Sequence, residues 1–130
     1  MAALAHSHIN GVGSIFTEGL PWFKVYFDYA LQNRMLSKGE FQNINDYATR
    51  AEAAYLFANA LPERMLSGRN ALPLPPDVPE QCPYSRHIQR LLNANFLIGI
   101  DERGYFHPNR LITRTETAVM LNRIILSARN

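Results

Sequence analysis

Thr49-Arg50-Ala51-Glu52-Ala53-Ala54 returns 64 residues later as Thr113-Arg114-Thr115-Glu116-Thr117-Ala118. In both copies a Glu follows the Thr by three residues, which is the spacing of a capping box. In that motif the two side chains satisfy free backbone N–H groups at the start of a helix. The predicted helix caps are Thr49, Glu52, Thr113 and Glu116. The chain is therefore predicted to contain two capped helices with the same start.

The capping box does not explain the arginine that follows each Thr. A helix N-terminus carries the positive end of the helix dipole, where an acidic side chain is favoured over a basic one. Arg50 and Arg114 therefore point to a specific role. Either they bind an anionic ligand, or they pair with a neighbouring acid.

The repeat extends beyond this motif. Pro21-Trp22 matches Pro83-Tyr84, and Gly39-Glu40-Phe41 matches Gly104-Tyr105-Phe106. Each copy thus contains an aromatic residue that opens a helix, a loop with Gly and Phe, and then a capped helix. Repeats of this size form units that stack on one another and do not fold alone.

The spacing of apolar residues predicts four helices, at about residues 21–34, 49–61, 84–95 and 113–128. We expect an all-α fold of tandem helix-loop-helix repeats, packed as a small bundle with long structured loops outside. The side chains expected to be buried on the last three helices are Ala54, Phe57, Ala58, Leu61, Ile88, Leu91, Leu92, Ala118, Leu121, Ile124 and Ile125.

Four segments follow from this organisation. Residues 1–15 are small and polar and are expected to be flexible, and residues 16–66 form repeat one. Residues 67–74 begin a connector rich in Gly and Pro that no helix can cross. Residues 75–130 form repeat two.

Composition excludes several classes of function. The chain has 130 residues, a net charge of +2 and 18% charged residues, with no basic run, so nucleic-acid binding is not indicated. A helix-turn-helix DNA reader is a distant alternative, because neither second helix carries a basic, base-reading face. No stretch approaches the roughly 18 apolar residues of a membrane span, so no membrane insertion is expected. The basic residues are eleven Arg and two Lys, which suits bidentate carboxylate recognition but also fits a codon bias.

Catalytic and metal-binding signatures are missing from the sequence. Cys82 is the single cysteine, so neither an intrachain disulfide nor a cysteine-based metal site can form. His87 and His107 lack metal-ligand spacing with it. We find no paired carboxylates, phosphate loop or nucleophilic serine motif. The chain is therefore expected not to be an enzyme and to use no cofactor and no metal.

The sequence resembles the S-layer homology (SLH) domain family. Over about residues 75–127 the pattern comprises Pro76-Asp77-Val78, Tyr84, Gly104, Phe106-His107-Pro108 and Ile112-Thr113-Arg114-Thr115-Glu116. Repeat one fits less fully, from about Phe16 to Leu61. Such domains resemble a three-pronged spindle, in which each repeat gives one helix to a central bundle.

The resemblance implies a carbohydrate site between the prongs. Grooves there bind an anionic secondary cell-wall polysaccharide, and Arg50 and Arg114 would hold an acidic substituent such as a pyruvyl ketal carboxylate. Trp22 and Tyr84 would line the groove, although packing at a helix start is an equal alternative for both. Gly39 and Gly104 would let the sugar approach the backbone. Asp77, in the opening motif of repeat two, completes the implied carbohydrate-binding set.

The function expected from this resemblance is a non-catalytic cell-wall anchor in a secreted bacterial surface protein. The alternative is a helical protein-protein interaction or assembly module without sugar binding. SLH domains usually have three repeats and two are visible here, so a third repeat or a homo-oligomer is expected to complete the domain. The expected location is extracellular, at the cell wall or cell surface.

Overall fold

Helices connected by long loops make up the part of the chain that is described. A computed structural model describes residues 1–10, 24–41, 46–67, 70–97 and 101–128. Within these residues the helices are α1 (Ala2–Ile9), α2 (Lys24–Gln32), α3 (Arg50–Ala60), α4 (Glu63–Leu66), α5 (Ser85–Asn93) and α6 (Arg114–Ala128). No strand occurs in these ranges, and the β-type contact there is an isolated bridge between Thr49 and Leu111. The all-α prediction is confirmed. None of these helices is long and apolar enough to cross a membrane.

The predicted helices are present, with small changes at their ends. Helices α3, α5 and α6 each begin one residue after the predicted start. Helix α2 is described from Lys24, because residues 21–23 lie outside the described ranges. Helix α4 was not predicted, because it is a single turn that directly follows Pro62.

Helix α1 corrects the expectation for the N-terminal segment. Residues 1–15 were expected to be flexible, but Ala2–Ile9 is helical and its Ala3 and Ala5 are 6% and 2% exposed. Alanine is the strongest helix former, yet small side chains give no clear apolar stripe that a sequence pattern can detect. Residues 11–15 lie outside the described part.

Helix α1 lies against both α3 and α6. Helix α5 packs along α3, and α2 packs on α1. The main core combines side chains from α3, α5 and α6 with loop residues; its most deeply buried large members are Val78, Ile88, Leu91, Phe106, Met120 and Ile124. Helix α1 therefore joins elements that lie far apart in sequence.

The burial predictions hold on α3 and α5 and fail in part on α6. The residues buried as predicted are Ala54, Phe57, Ala58, Leu61, Ile88, Leu91, Leu92 and Ile124. Ala118 was expected to be buried and is exposed, while Leu121 and Ile125 are half-buried. Met120 occupies the core instead, at 1% exposed. The positions 64 residues before Ala118, Leu121 and Ile125 are all buried, whereas α6 is covered on fewer sides.

Helices α2 and α5 end in the same way. After each helix one residue has a positive φ, 59° at Arg34 and 64° at Asn95. The next amides, of Met35 and Phe96, each donate to a carbonyl five residues back at 2.9 Å. This is a Schellman motif, which turns the chain sharply and buries the residue that follows. Met35 and Phe96 are both buried.

Candidate functional site

The start of α3 is capped as predicted. The Thr49 hydroxyl accepts a hydrogen bond from the Glu52 amide at 3.1 Å, and the Glu52 carboxylate accepts one from the Thr49 amide at 3.3 Å. Both halves of the capping box are therefore present. Arg50, the first residue of α3, is 2% exposed.

The loop that precedes α6 supplies further partners to the start of α3. The Arg50 amide donates to the Arg110 carbonyl at 2.9 Å, and the Ala51 amide donates to the Pro108 carbonyl at 3.0 Å. In return, the Ile112 amide donates to the Ala48 carbonyl at 3.0 Å. The first amides of a helix have no partner within that helix. Here the second copy of the repeat provides them.

The Arg50 side chain links the same elements. Its Nε donates to the Phe106 carbonyl at 2.8 Å, and its Nη1 forms an ion pair with Glu116. The guanidinium carbon lies 4.6 Å from the centroid of the Phe106 ring. Glu116 also accepts a hydrogen bond from Arg110 at 2.9 Å. Of the two roles left open for Arg50, the structure contains the pairing with an acid, and a sugar can reach this guanidinium only if these neighbours move.

The electrostatics keep the Arg50–Glu116 pair ionised. Burial lowers the pKa of the Arg50 guanidinium, and the Glu116 carboxylate opposes that shift. Burial acts to raise the pKa of Glu116, but Arg50, Thr113 and Arg110 together hold it below its ordinary value. The charges therefore compensate one another in a site that is mostly shielded from water.

Asp77 holds the loop that Arg50 contacts. One carboxylate oxygen accepts from the Phe106 amide at 2.8 Å, and the other accepts from the His107 amide at 2.7 Å. His107 has a φ of 58°, and its ring is 2.7 Å from the Asp101 carboxylate. Asp77 therefore clamps the loop: its carboxylate holds the loop backbone at Phe106 and His107 through two hydrogen bonds.

Gly39 and Gly104 occupy similar loop conformations. Their φ values are 81° and 79°, in the region that side-chain-bearing residues rarely adopt. Among the described residues, and apart from each glycine and its two chain neighbours, no atom lies within 4 Å of the position that a Cβ would take at either glycine. Backbone conformation therefore accounts for both glycines, and the space above each one is open.

Arg114 has the same position on α6 as Arg50 has on α3, but different surroundings. Its side chain is exposed, and it forms no hydrogen bond or ion pair with any residue in the described ranges. The Thr113 hydroxyl accepts from the Glu116 amide at 3.1 Å, as a cap should. The Glu116 carboxylate is engaged by Arg50 and Arg110, so the return half of this capping box is not seen among the described contacts.

Tyr84 lies in an aromatic cluster between α3 and α5. It precedes α5 with a φ of 66°, and its ring centroid is 4.6 Å from that of Tyr55 and 5.9 Å from that of His87. Its hydroxyl donates to the Glu40 carboxylate, next to Gly39. Burial and this hydrogen bond raise the pKa of Tyr84. Tyr84 and the Gly39 loop are therefore brought together, whereas Trp22 lies outside the described residues.

His87 is the unsatisfied member of this cluster. Its ring lies edge-on to Tyr55, with centroids 5.0 Å apart, and its buried Nδ1 has no hydrogen-bond partner in the described part of the chain. Burial lowers the pKa of His87, Arg90 lowers it further, and Glu40 acts in the opposite direction. The neutral imidazole is therefore favoured.

Sequence reasoning missed the partners of these residues. Phe106 was recognised as part of the repeat, but its carbonyl and ring were not assigned to Arg50. Glu40 carried no signal, because its partner Tyr84 is 44 residues away in the sequence. Arg110 is only six residues before Glu116, but it lies outside the repeated motif and was not assigned. Among the described residues, no group of three His, Cys, Asp or Glu side chains could hold a metal ion.

None of the protein-family models, curated proteins or solved structures compared with this chain matches it.

Proposed function

We propose that this chain is a non-catalytic cell-wall anchoring module of the SLH type, built from two tandem repeats. It binds an anionic secondary cell-wall polysaccharide through Arg114, which recognises a carboxylate. The observation that carries the proposal is the Arg50–Glu116 pair. It gives an internal example of how an arginine in this motif holds a carboxylate.

At Arg50 one guanidinium serves three contacts. It pairs with a carboxylate, donates to a carbonyl and lies over an aromatic ring. A planar guanidinium is suited to such a combination, because its donors are fixed in a fork. Arg114 follows the same Thr at the same helix position and is exposed. A carboxylate on a polymer can therefore take the place at Arg114 that Glu116 has at Arg50.

Local likenesses support the tandem repeat. The first helix of each copy ends in a Schellman motif, each loop has a glycine at positive φ, and each second helix starts with a Thr cap. The two arginines nevertheless differ in exposure. Arg50 acts as a structural link, and Arg114 is the binding residue.

The test is titration of purified cell-wall polysaccharide against the wild type, Arg114→Lys and Arg114→Ala. Lysine keeps the charge but cannot reproduce the fork, so Arg114→Lys should lose about 10-fold or more in affinity, as expected for a charge-assisted hydrogen bond of about 1.5–3 kcal/mol. Arg114→Ala should be weaker still. Arg86→Lys, at an exposed arginine on α5, is the matched control and should bind like the wild type.

A second titration uses polymer from which the acidic substituents have been removed. Wild-type binding should fall towards that of Arg114→Ala. Equal binding by the wild type and Arg114→Lys, or indifference to the acidic groups, would reject this mechanism.

An assembly module is the second candidate, and exposed apolar side chains favour it. Leu111 is 51% exposed, Val119 39% and Leu126 50%. A protein that self-associates and does not bind any cell-wall fraction would support this reading over anchoring.

A further inference from the structure

Tyr47 is the large hydrophobic side chain most open to solvent in the described part of the chain. It is 84% exposed, whereas the other exposed large hydrophobic residues there lie between 39% and 53%. Within the described residues it makes no hydrogen bond and no contact with another aromatic ring. A single exposed apolar residue is common on protein surfaces, so the neighbours of Tyr47 decide its role.

The backbone next to Tyr47 pairs with the segment that leads into α6. Thr49 and Leu111 form an antiparallel bridge, and beside it the Ile112 amide donates to the Ala48 carbonyl at 3.0 Å. The two segments are equivalent stretches of the two copies, because Leu111 and Ile112 lie 64 residues after Tyr47 and Ala48. The entry to α3 is thus held against the entry to α6.

The same register brings Tyr47 next to Arg114. One step beyond this hydrogen bond, the paired positions are Tyr47 and Thr113, and Arg114 follows Thr113 directly. Opposite residues in such a pair have Cβ atoms about 4.5–5.5 Å apart, and long side chains also reach their diagonal neighbours. Tyr47, Thr113 and Arg114 are all exposed. A tyrosine ring and a guanidinium therefore lie side by side at the surface.

The two side chains suit different parts of one sugar. Arg114 forms no hydrogen bond or ion pair in the described ranges, so its fork of donors is open to a carboxylate. The face of the Tyr47 ring carries partial negative charge. One face of a pyranose presents mainly C–H bonds, whose hydrogens are slightly positive, while its hydroxyl groups stay in water at the rim. A sugar ring that bears a carboxylate can contact both side chains at once.

We propose that Tyr47 is a stacking surface for a pyranose ring whose carboxylate pairs with Arg114. This inference rests on the proposed function of Arg114 and defines the ligand more narrowly. A polyol phosphate chain supplies charge for Arg114 but no ring for Tyr47, and a neutral glycan supplies a ring but no charge. The site therefore selects carboxylated pyranosides over both.

Calorimetric titration of the full chain with purified acidic cell-wall polysaccharide tests the stacking surface. Tyr47→Ala should lose about 3–10-fold in affinity, which is the effect of removing one aromatic contact. Tyr47→Phe keeps the ring and should bind like the wild type. Leu72→Ala changes a leucine that is 43% exposed and lies on the connector, and it serves as the control. The urea midpoint of each variant should stay at the wild-type value, because these side chains are exposed.

Two further ligands separate the ring from the charge. Poly(glycerol phosphate) carries charge without sugar rings, and its binding should be the same for the wild type and Tyr47→Ala. Polymer freed of its acidic substituents offers rings without charge. Its residual binding should fall in Tyr47→Ala and stay unchanged in Arg114→Ala.

Equal affinity of the wild type and Tyr47→Ala for the acidic polymer would overturn the stacking surface, and so would an equal loss in Tyr47→Phe. The anchor can fail separately. If Arg114→Lys loses binding and Tyr47→Ala does not, stacking is rejected and anchoring through Arg114 stands. If only Tyr47→Ala loses binding, the carboxylate contact is rejected and the shared site with it. A wild type that binds no polymer rejects both proposals.

Discussion

Replacing Arg50 by Ala should destabilise the protein by about 3 kcal/mol, although the same change at Arg114 should have almost no effect. Arg50 is 2% exposed, and removing one partner of a buried ion pair costs about 3–5 kcal/mol. Glu116 keeps Arg110 as a partner and remains 15% exposed, which places the expected loss at the lower end. The Phe106 carbonyl also loses a donor. These contributions share one side chain and are not additive.

Urea unfolding followed by circular dichroism measures the difference. Arg114→Ala is the matched control, because it changes the same residue of the same motif at an exposed position, where effects lie within about 0.5 kcal/mol. The unfolding free energy of Arg50→Lys should lie between those of the wild type and Arg50→Ala, because lysine keeps the charge but lacks the forked donors of arginine. Arg110→Ala, which removes the exposed partner of Glu116, should cost less than about 1 kcal/mol. Equal unfolding free energies for Arg50→Ala and Arg114→Ala would refute the structural role of Arg50.

Two further predictions concern Asp77 and His87. Asp77→Asn keeps the shape but leaves a single acceptor oxygen for the Phe106 and His107 amides, so it should lower the unfolding free energy by about 1–2 kcal/mol; a urea midpoint like that of the wild type would contradict the clamp. The pKa of His87 is lowered in the folded state, so the unfolded chain takes up the proton first and stability should fall as pH drops below the ordinary histidine pKa of about 6.5. His87→Phe should reduce this pH dependence, by at most about 1.4 kcal/mol per pH unit for one proton, as measured by thermal unfolding between pH 7 and 5. His6 also has a lowered pKa and leaves a residual slope, and an unchanged slope in the variant would count against a role for His87.

Local chemistry was predictable from this sequence, and long-range contacts were not. Thr49 and Glu52 could be assigned because a capping box is contained within four residues. The partner of Arg50 is Glu116, which lies 66 residues away in the sequence. The sequence pattern assigns both Glu52 and Glu116 to helix caps, so it does not indicate an ion pair with Arg50. The position of Arg50 in the motif indicates that it has a specific role. Only the packing of α3 against the loop before α6 shows what that role is.

The errors on α1 and α6 have a related cause. A helix face is buried only if another element covers it. The apolar pattern within α6 does not indicate that α5 packs on α3 and not on α6. Ala118 therefore follows the pattern of Ala54 and still faces water. In α1 the opposite occurs, because Ala3 and Ala5 are buried without any apolar periodicity. Burial in both helices is decided by their neighbours.

The position of α1 also has a consequence for the order in which the protein folds. Helix α1 rests on α6, from which it is separated by nearly the whole sequence. During synthesis α1 leaves the ribosome before α6, so this surface can form only after α6 has been made. Closing so large a loop early costs chain entropy, and domains with many such distant contacts fold more slowly than those with local ones. Helix α1 is therefore made well before its partner α6 and is expected to reach its final position late in folding.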